Sequence, residues 1–193
     1  MNTRQRITVI TVILIAVAIA ASITATAASR EASRTEAEKK ARIARGKHLV
    51  GFGGCNDCHT PLKMGPKGPE PDMSRALSGH PENVVMGPAP KAQGGWMWSG
   101  AGTNTAFAGP WGISYAANLT PDRLTGTGIW NEEMFIKTIR TGRHWGVGRP
   151  ILPPMPYQAV QQLNDEDLKA VFAYIHSLKP IKNQVPDAVI AAQ

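Results

Sequence analysis

Residues 55–59 read CNDCH, and Cys55 and Cys58 are the only cysteines in a chain of 193 residues. Several uses compete for a Cys-x-x-Cys pair. A redox dithiol belongs in a strand–helix–strand setting, whereas this pair follows GFGG at 51–54, after a helical pattern. A structural zinc site needs four ligands; there is no second cysteine pair, and His48, His80 and His144 are scattered. A plain disulfide leaves His59 without a purpose. The full pattern C-x-x-C-H is that of covalent haem attachment, and a chance match in a chain this long is on the order of one in a thousand. In that chemistry both sulfurs add to the vinyl groups on one porphyrin edge, and the next residue brings its imidazole to the iron. Cys55 and Cys58 are therefore expected to be the thioether anchors of one haem c, and His59 its proximal iron ligand. A ring held in that way needs a partner for its other nitrogen, expected in a backbone carbonyl of the loop after it.

The sixth position decides between electron carriage and small-molecule chemistry. The chain has seven methionines. Met64 is too near His59 to reach the opposite face, and Met134 lies on an apolar helical face. Met73, Met86 and Met97 fall in the Gly/Pro-rich region and stay open. Met155 stands apart in ILPPMPY, where Pro153, Pro154 and Pro156 restrict their own φ and the residues before them, and an extended, stiffened support is expected. A soft thioether on such a support suits iron, so Met155 is the expected distal ligand, with His144 in GRHWG as runner-up. His48 and His176 are expected on helix surfaces or in packing.

The formal charge of +7 invites a nucleic-acid reading, but its location removes it. Arg4 and Arg6 lie at the start, and Arg30, Arg34, Lys39, Lys40, Arg42, Arg45 and Lys47 crowd into residues 28–47 beside only Glu31, Glu36 and Glu38. Residues 48–193 keep a single net positive charge, too little for a phosphate-binding face. The two arginines precede an apolar run from Ile7 to Ala20 and an Ala-x-Ala site at Ala25 and Ala27, the layout of an export signal. The longer stretch from Ile7 to Ala28, 22 residues, could span a bilayer as an uncleaved anchor, so residues 1–27 read as one or the other. Either places the remainder outside the cytoplasm.

Ser33 and Glu36 fit a capping box, which predicts a helix from about Ser33 to Val50, stopped by GFGG. From Pro61 to Gly128 there are 12 glycines and 9 prolines, too many for long helices. An ordered loop region is expected there, with Trp96, Trp98, Phe107, Trp111 and Tyr115 buried and WMWSGAGTNTAFA forming a short β-hairpin. Helical spacing returns in NEEMFIKTIRTG, with Met134, Phe135, Thr138 and Ile139 on one face and Gly142 at the end. The clearest helix is NDEDLKAVFAYIHSLKP: Leu168, Val171, Phe172, Ile175 and Leu178 share a face, Asn164 or Asp165 caps it, and Pro180 stops it.

Together, RGKHLVGFGGCNDCHT, NLTPD at 118–122, TGIW at 127–130, FIKTIRTGRH, PPMPY and LNDEDLKAVFAYIHSLKP resemble the class I c-type cytochromes. The resemblance is to the domains of cytochrome subunits of membrane-bound bacterial sugar and alcohol dehydrogenases, and it covers about residues 45–186. It implies a mainly α fold of about three to four helices around one haem, with His59 and Met155 axial and Asn118 as a haem-pocket contact. Such subunits usually carry several domains, whereas one C-x-x-C-H means one haem here. The expected organisation is a signal or anchor over 1–27, a charged helical stalk over 28–44 and the cytochrome domain over 45–186. Residues 61–128 form a loop-rich insertion within that domain, and 187–193 a C-terminal tail. The part at 61–110 is expected to cover a haem edge or form a docking surface. The implied function is single-electron transfer in the periplasm, in solution or at the outer face of the cytoplasmic membrane, between redox partner proteins and without a small-molecule substrate. A respiratory or dehydrogenase subunit is favoured over a free shuttle. The reading from a different class is a haem enzyme or sensor with an open iron site.

Overall fold

The computed structural model describes residues 3–92 and 94–191, with side chains given from residue 24 onward except Ala25 and Ala27. The leader-or-anchor reading rests on side chains that lie outside the described residues. Among those described, no helix is long and apolar enough to cross a membrane. The chain divides into two compact units, Met1–Ala41 and Arg42–Gln193.

The first unit is helical, part of α1 (Thr3–Phe52), and its described side chains face solvent. The expected start at Ser33 is not found. Ser33 lies inside the helix, where its hydroxyl donates back to the Ser29 carbonyl at 2.9 Å, and Arg34 pairs with Glu38 at 2.9 Å one turn on. The alanine-rich composition around Ser33 sustains a helix through it, so a capping pattern alone does not make a start.

In the second unit, five α-helical segments are described when the end of α1 is counted: α2 (Cys55–His59), α3 (Glu132–Thr141), the short α4 (Tyr157–Val160) and α5 (Asp165–His176). The fold is mainly helical with β structure inserted, as expected. Asn164 caps α5 by accepting from Asp167 N, Asn131 caps α3 by accepting from Met134 N, and Gly142 ends α3 in the left-handed region. Helix α5 stops at His176, short of Pro180. The apolar faces read from spacing meet in one core of Val50, Leu77, Phe135, Ile139, Leu168, Val171, Phe172 and Ile175. Where α1 crosses α5, Gly46 is buried, and a Cβ there would overlap the Ala170 carbonyl and lie 2.8 Å from the Tyr174 Cβ. Arg45 spans the same crossing with Nε 2.9 Å from Asp167 Oδ1 and Nη2 3.2 Å from Oδ2.

The Gly/Pro-rich region contains more strand than expected. β1 (Leu62–Gly65) and β2 (Gly68–Pro71) form one antiparallel hairpin. The anticipated hairpin is present as β3 (Ser99–Gly100) against β4 (Ala106–Gly109), and it continues through β5 (Gly112–Tyr115) to β6 (Val189–Ile190). The stretch expected as a tail thus supplies the fourth strand. Phe107 is buried and Trp111 and Tyr115 half-buried, but Trp96 and Trp98 are 76% and 43% exposed, against expectation. Among the described residues of 91–98, none has a ladder partner to carry the segment over the core.

Candidate haem site

α2 is the first turn after GFGG, with Gly54 in the left-handed region and the Gly54 carbonyl accepting from Asp57 N at 2.9 Å. A single turn places Cys55 and Cys58, at i and i+3, on neighbouring positions of one face. Both thiols are free and half-buried. Burial pushes both up from the usual thiol range, Cys55 helped by Asp57 and Cys58, and Cys58 by Asp57. An attacking redox thiolate needs the opposite shift, so the dithiol reading loses its chemistry.

His59 is 8% exposed and its Nδ1 lies 2.8 Å from the Ala117 carbonyl oxygen. A carbonyl only accepts, so Nδ1 carries the proton and Nε2 keeps the lone pair a metal takes. Burial lowers the ring's proton affinity against the opposing effect of the Ala117 bond, which favours the neutral imidazole that ligation requires. The partner is a backbone carbonyl, as anticipated, but it comes from Ala117 and not from the loop directly after His59. Thr60 is fully buried; its hydroxyl donates to Asn56 Oδ1 and accepts from Leu77 N, both at 2.9 Å. Asn104 Nδ2 donates to the Asp57 carbonyl at 2.7 Å, so the insertion also grips α2.

Met155 is half-buried, between a turn and α4. The expected extended support is instead a turn at Pro153–Pro154, whose peptide bond is cis, with Met155 N donating to the Leu152 carbonyl at 3.3 Å. The turn is tied to the insertion, since the buried Ser114 hydroxyl lies 2.6 Å from the Pro153 carbonyl oxygen. Met64, Met73 and Met97 are 78%, 62% and 68% exposed, which removes their support as ligands, while Met86 is half-buried. His144 packs edge-on to Trp130 at 5.2 Å between ring centroids and lies against Trp145 at 5.0 Å. His48 stacks on Phe52 and His176 on Phe172, the packing roles expected of them.

Asn118 is buried, and its polar atoms are occupied by protein. Nδ2 donates to the Ile181 carbonyl at 2.8 Å and to Thr125 Oγ1 at 3.2 Å, while Oδ1 accepts from Thr120 N and Oγ1. Asn118 directly follows Ala117, whose carbonyl accepts from His59 Nδ1. Sequence reasoning missed Ala117 and Thr60 as partners of the site.

His80, also missed, is fully buried, with Nε2 2.9 Å from the Val84 carbonyl and Nδ1 2.9 Å from Thr105 Oγ1. Burial lowers its pKa, opposed by the Val84 bond. Above about pH 6.5 the ring is neutral folded and unfolded, and has no effect on pH dependence. Below that, the unfolded ring binds a proton that the buried ring resists, so stability falls with pH until the lower folded pKa is passed. Denaturant midpoints at pH 7 and pH 5 are expected to drop with acid, and the drop to shrink in His80→Gln. An equal drop in that variant would assign the acid sensitivity to other groups.

The residues present fit a haem: two thiols on one turn, a buried imidazole with its outer nitrogen bonded, and a half-buried thioether on a braced loop. A helical domain carrying C-x-x-C-H in this setting defines a c-type cytochrome. The sequence matches the cytochrome c family over residues 43–179, and the chain belongs to that family. It is a monohaem c-type cytochrome domain with haem c as cofactor. It is 29% identical to the gluconate 2-dehydrogenase cytochrome c subunit of Pantoea cypripedii over 151 residues, which cover 78% of this chain and 26% of that protein. It is 28% identical to the cytochrome c subunit of the quinone-linked alcohol dehydrogenase of Gluconobacter oxydans over 159 residues, 81% of this chain and 26% of the relative. A shorter match, 38% over 87 residues, links it to the fructose dehydrogenase cytochrome subunit of Gluconobacter japonicus, covering 42% and 18%. The chain thus spans about a quarter or less of each relative's length.

Proposed function

We propose that this cytochrome passes single electrons outside the cytoplasmic membrane as part of a respiratory or dehydrogenase complex. In this reading Cys55 and Cys58 hold the haem, and His59 and Met155 are the axial ligands. The observation that carries it is the buried His59 ring on the cysteine-bearing turn, with Nδ1 bonded to Ala117 and Nε2 left to ligate. Haem c, when bound, supplies a one-electron iron couple. The chain's residues do the rest. His59 presents a neutral, oriented nitrogen, Met155 a soft sulfur that favours the reduced state, and the core around Leu77, Leu119 and Cys55 excludes water. Asn118 contributes by fixing the Ala117–Leu119 segment. The subunit reading is supported by the relatives, which are cytochrome subunits of dehydrogenases. The near-neutral charge of residues 48–193 supports it too, since a freely diffusing shuttle steered by charge shows a stronger one-sided field.

The test begins with intact mass of the exported protein and of the peptide bearing residues 55–59. One haem per chain is expected, bound at Cys55 and Cys58 and lost in Cys55→Ser/Cys58→Ser. A bare polypeptide would overturn the reading. Solubilised native membranes, separated by size, are then expected to show its haem co-migrating with a dehydrogenase activity. Migration as a lone protein of about 20 kDa would favour the shuttle.

A further inference from the structure

Two segments distant in sequence bracket His59, and their hydrogen bonds interlock. Gly79 N donates to the His59 carbonyl at 2.8 Å, His80 N to the Ala116 carbonyl at 2.9 Å, and Leu119 N to the Leu77 carbonyl at 2.9 Å. Residues 77–80 therefore run against residues 116–119, with Gly79 facing the peptide whose oxygen accepts the His59 Nδ1 proton. Gly79 has φ +76, and a Cβ there would lie 2.6 Å from the Ala117 oxygen and overlap the Ala117 carbonyl carbon. Only a bare Cα lets the carbonyl occupy its place.

A single buried amide holds the first of these segments. Asn183 is fully buried. Its Nδ2 donates to the carbonyls of Ser78 and His80, at 2.7 and 2.8 Å, on either side of Gly79. Its Oδ1 accepts from Glu82 N and Arg75 Nη2, both at 2.9 Å. Its backbone N donates to Thr125 Oγ1 at 3.0 Å, and Asn118 Nδ2, beside Ala117, lies 3.4 Å from its carbonyl. The side chain of Asn183 is thus spent on residues 75–82, which carry Gly79, while its backbone carbonyl faces the Asn118 amide next to Ala117.

We propose that Gly79 and Asn183 are positioning residues for the proximal ligand: they clamp the Ala117 carbonyl onto His59 Nδ1–H and thereby tune the donor strength of the ring. The proposal rests on the reading of His59 as an iron ligand. A hydrogen bond at the outer nitrogen makes the imidazole more basic and favours the oxidised state of the metal it binds. Loosening the clamp weakens that bond and shifts the reduction potential upward.

The experiment compares wild-type holoprotein with Gly79→Ala, Asn183→Asp and the control Gly46→Ala, which strains a helix crossing elsewhere. Potentiometry and NMR with ring-¹⁵N histidine are read together. The expected result is an upward shift of potential and faster solvent exchange of the His59 Nδ1 proton in both clamp variants, with neither change in the control. Unchanged potential and exchange in a folded clamp variant would overturn the proposal, as would the same shift in the control. Should neither clamp variant yield holoprotein, wild-type exchange decides. The Nδ1 proton and the amides of Gly79 and Leu119 are expected to exchange through one common opening, and independent rates would refute the clamp. Failure of the ligand reading looks different: the His59 ring would then show no paramagnetic shift in oxidised wild type.

Discussion

Met155→Ala holoprotein is expected to lose the weak red absorption of sulfur-bound ferric haem and to show a reduction potential lower by on the order of 0.1 V. That is a modest part of the ≈ 0.8 V span that axial ligands command. The direction follows from the thioether, a soft donor that favours ferrous over ferric iron, so its removal relatively stabilises the oxidised state. Alanine also leaves a gap beside a turn anchored by the Ser114–Pro153 hydrogen bond. Water, or His144 after a loop shift, can enter, and either is a harder donor. Optical spectra and potentiometry on Met155→Ala, with His144→Ala as comparison, check this. An unchanged spectrum in the first and a changed one in the second would transfer the ligand role to His144.

Gly46→Val is expected to destabilise the protein by about 3 kcal/mol, the upper part of the range for overpacking a close contact. The added carbons fall on the Ala170 carbonyl and the Tyr174 Cβ, so α1 and α5 must separate. Separation opens the core where Val50 meets Leu168 and Val171, and it pulls Arg45 from Asp167. The ion pair is a minor part, because Arg45 is half-exposed and such pairs contribute about 0–1 kcal/mol. Arg45→Ala should therefore cost much less than Gly46→Val. Denaturant unfolding of both variants tests the ranking. A Gly46→Val midpoint matching wild type would mean that the crossing is not held as tightly as the geometry indicates.

The helices that build this core were legible because their cause is local. Leu168, Val171, Phe172 and Ile175 repeat at helical spacing, and Asn164 caps through a bond only three residues long. The same locality misled at Ser33, where a capping pattern sits within a longer stretch of helix-favouring residues. It misled again at Trp96 and Trp98, because aromatic character says nothing about whether a loop is carried onto the core. The polar atoms of Asn118 are engaged by Thr120 and Thr125, which are local, and by Ile181, a contact fixed by where the C-terminal segment returns.

The chemical identity of the protein was written in five consecutive residues, since covalent attachment demands two thiols and an imidazole within one helical turn. Sequence alone therefore determined the cofactor and the helical class. What holds that imidazole was decided by the tertiary structure, because a backbone carbonyl has no residue signature. The His59 partner lies 58 positions away, and the amide of Asn183 reaches 103 positions back to His80. Backbone hydrogen-bond groups are the same in every residue but proline, so only the path of the chain decides which of them meets the ring.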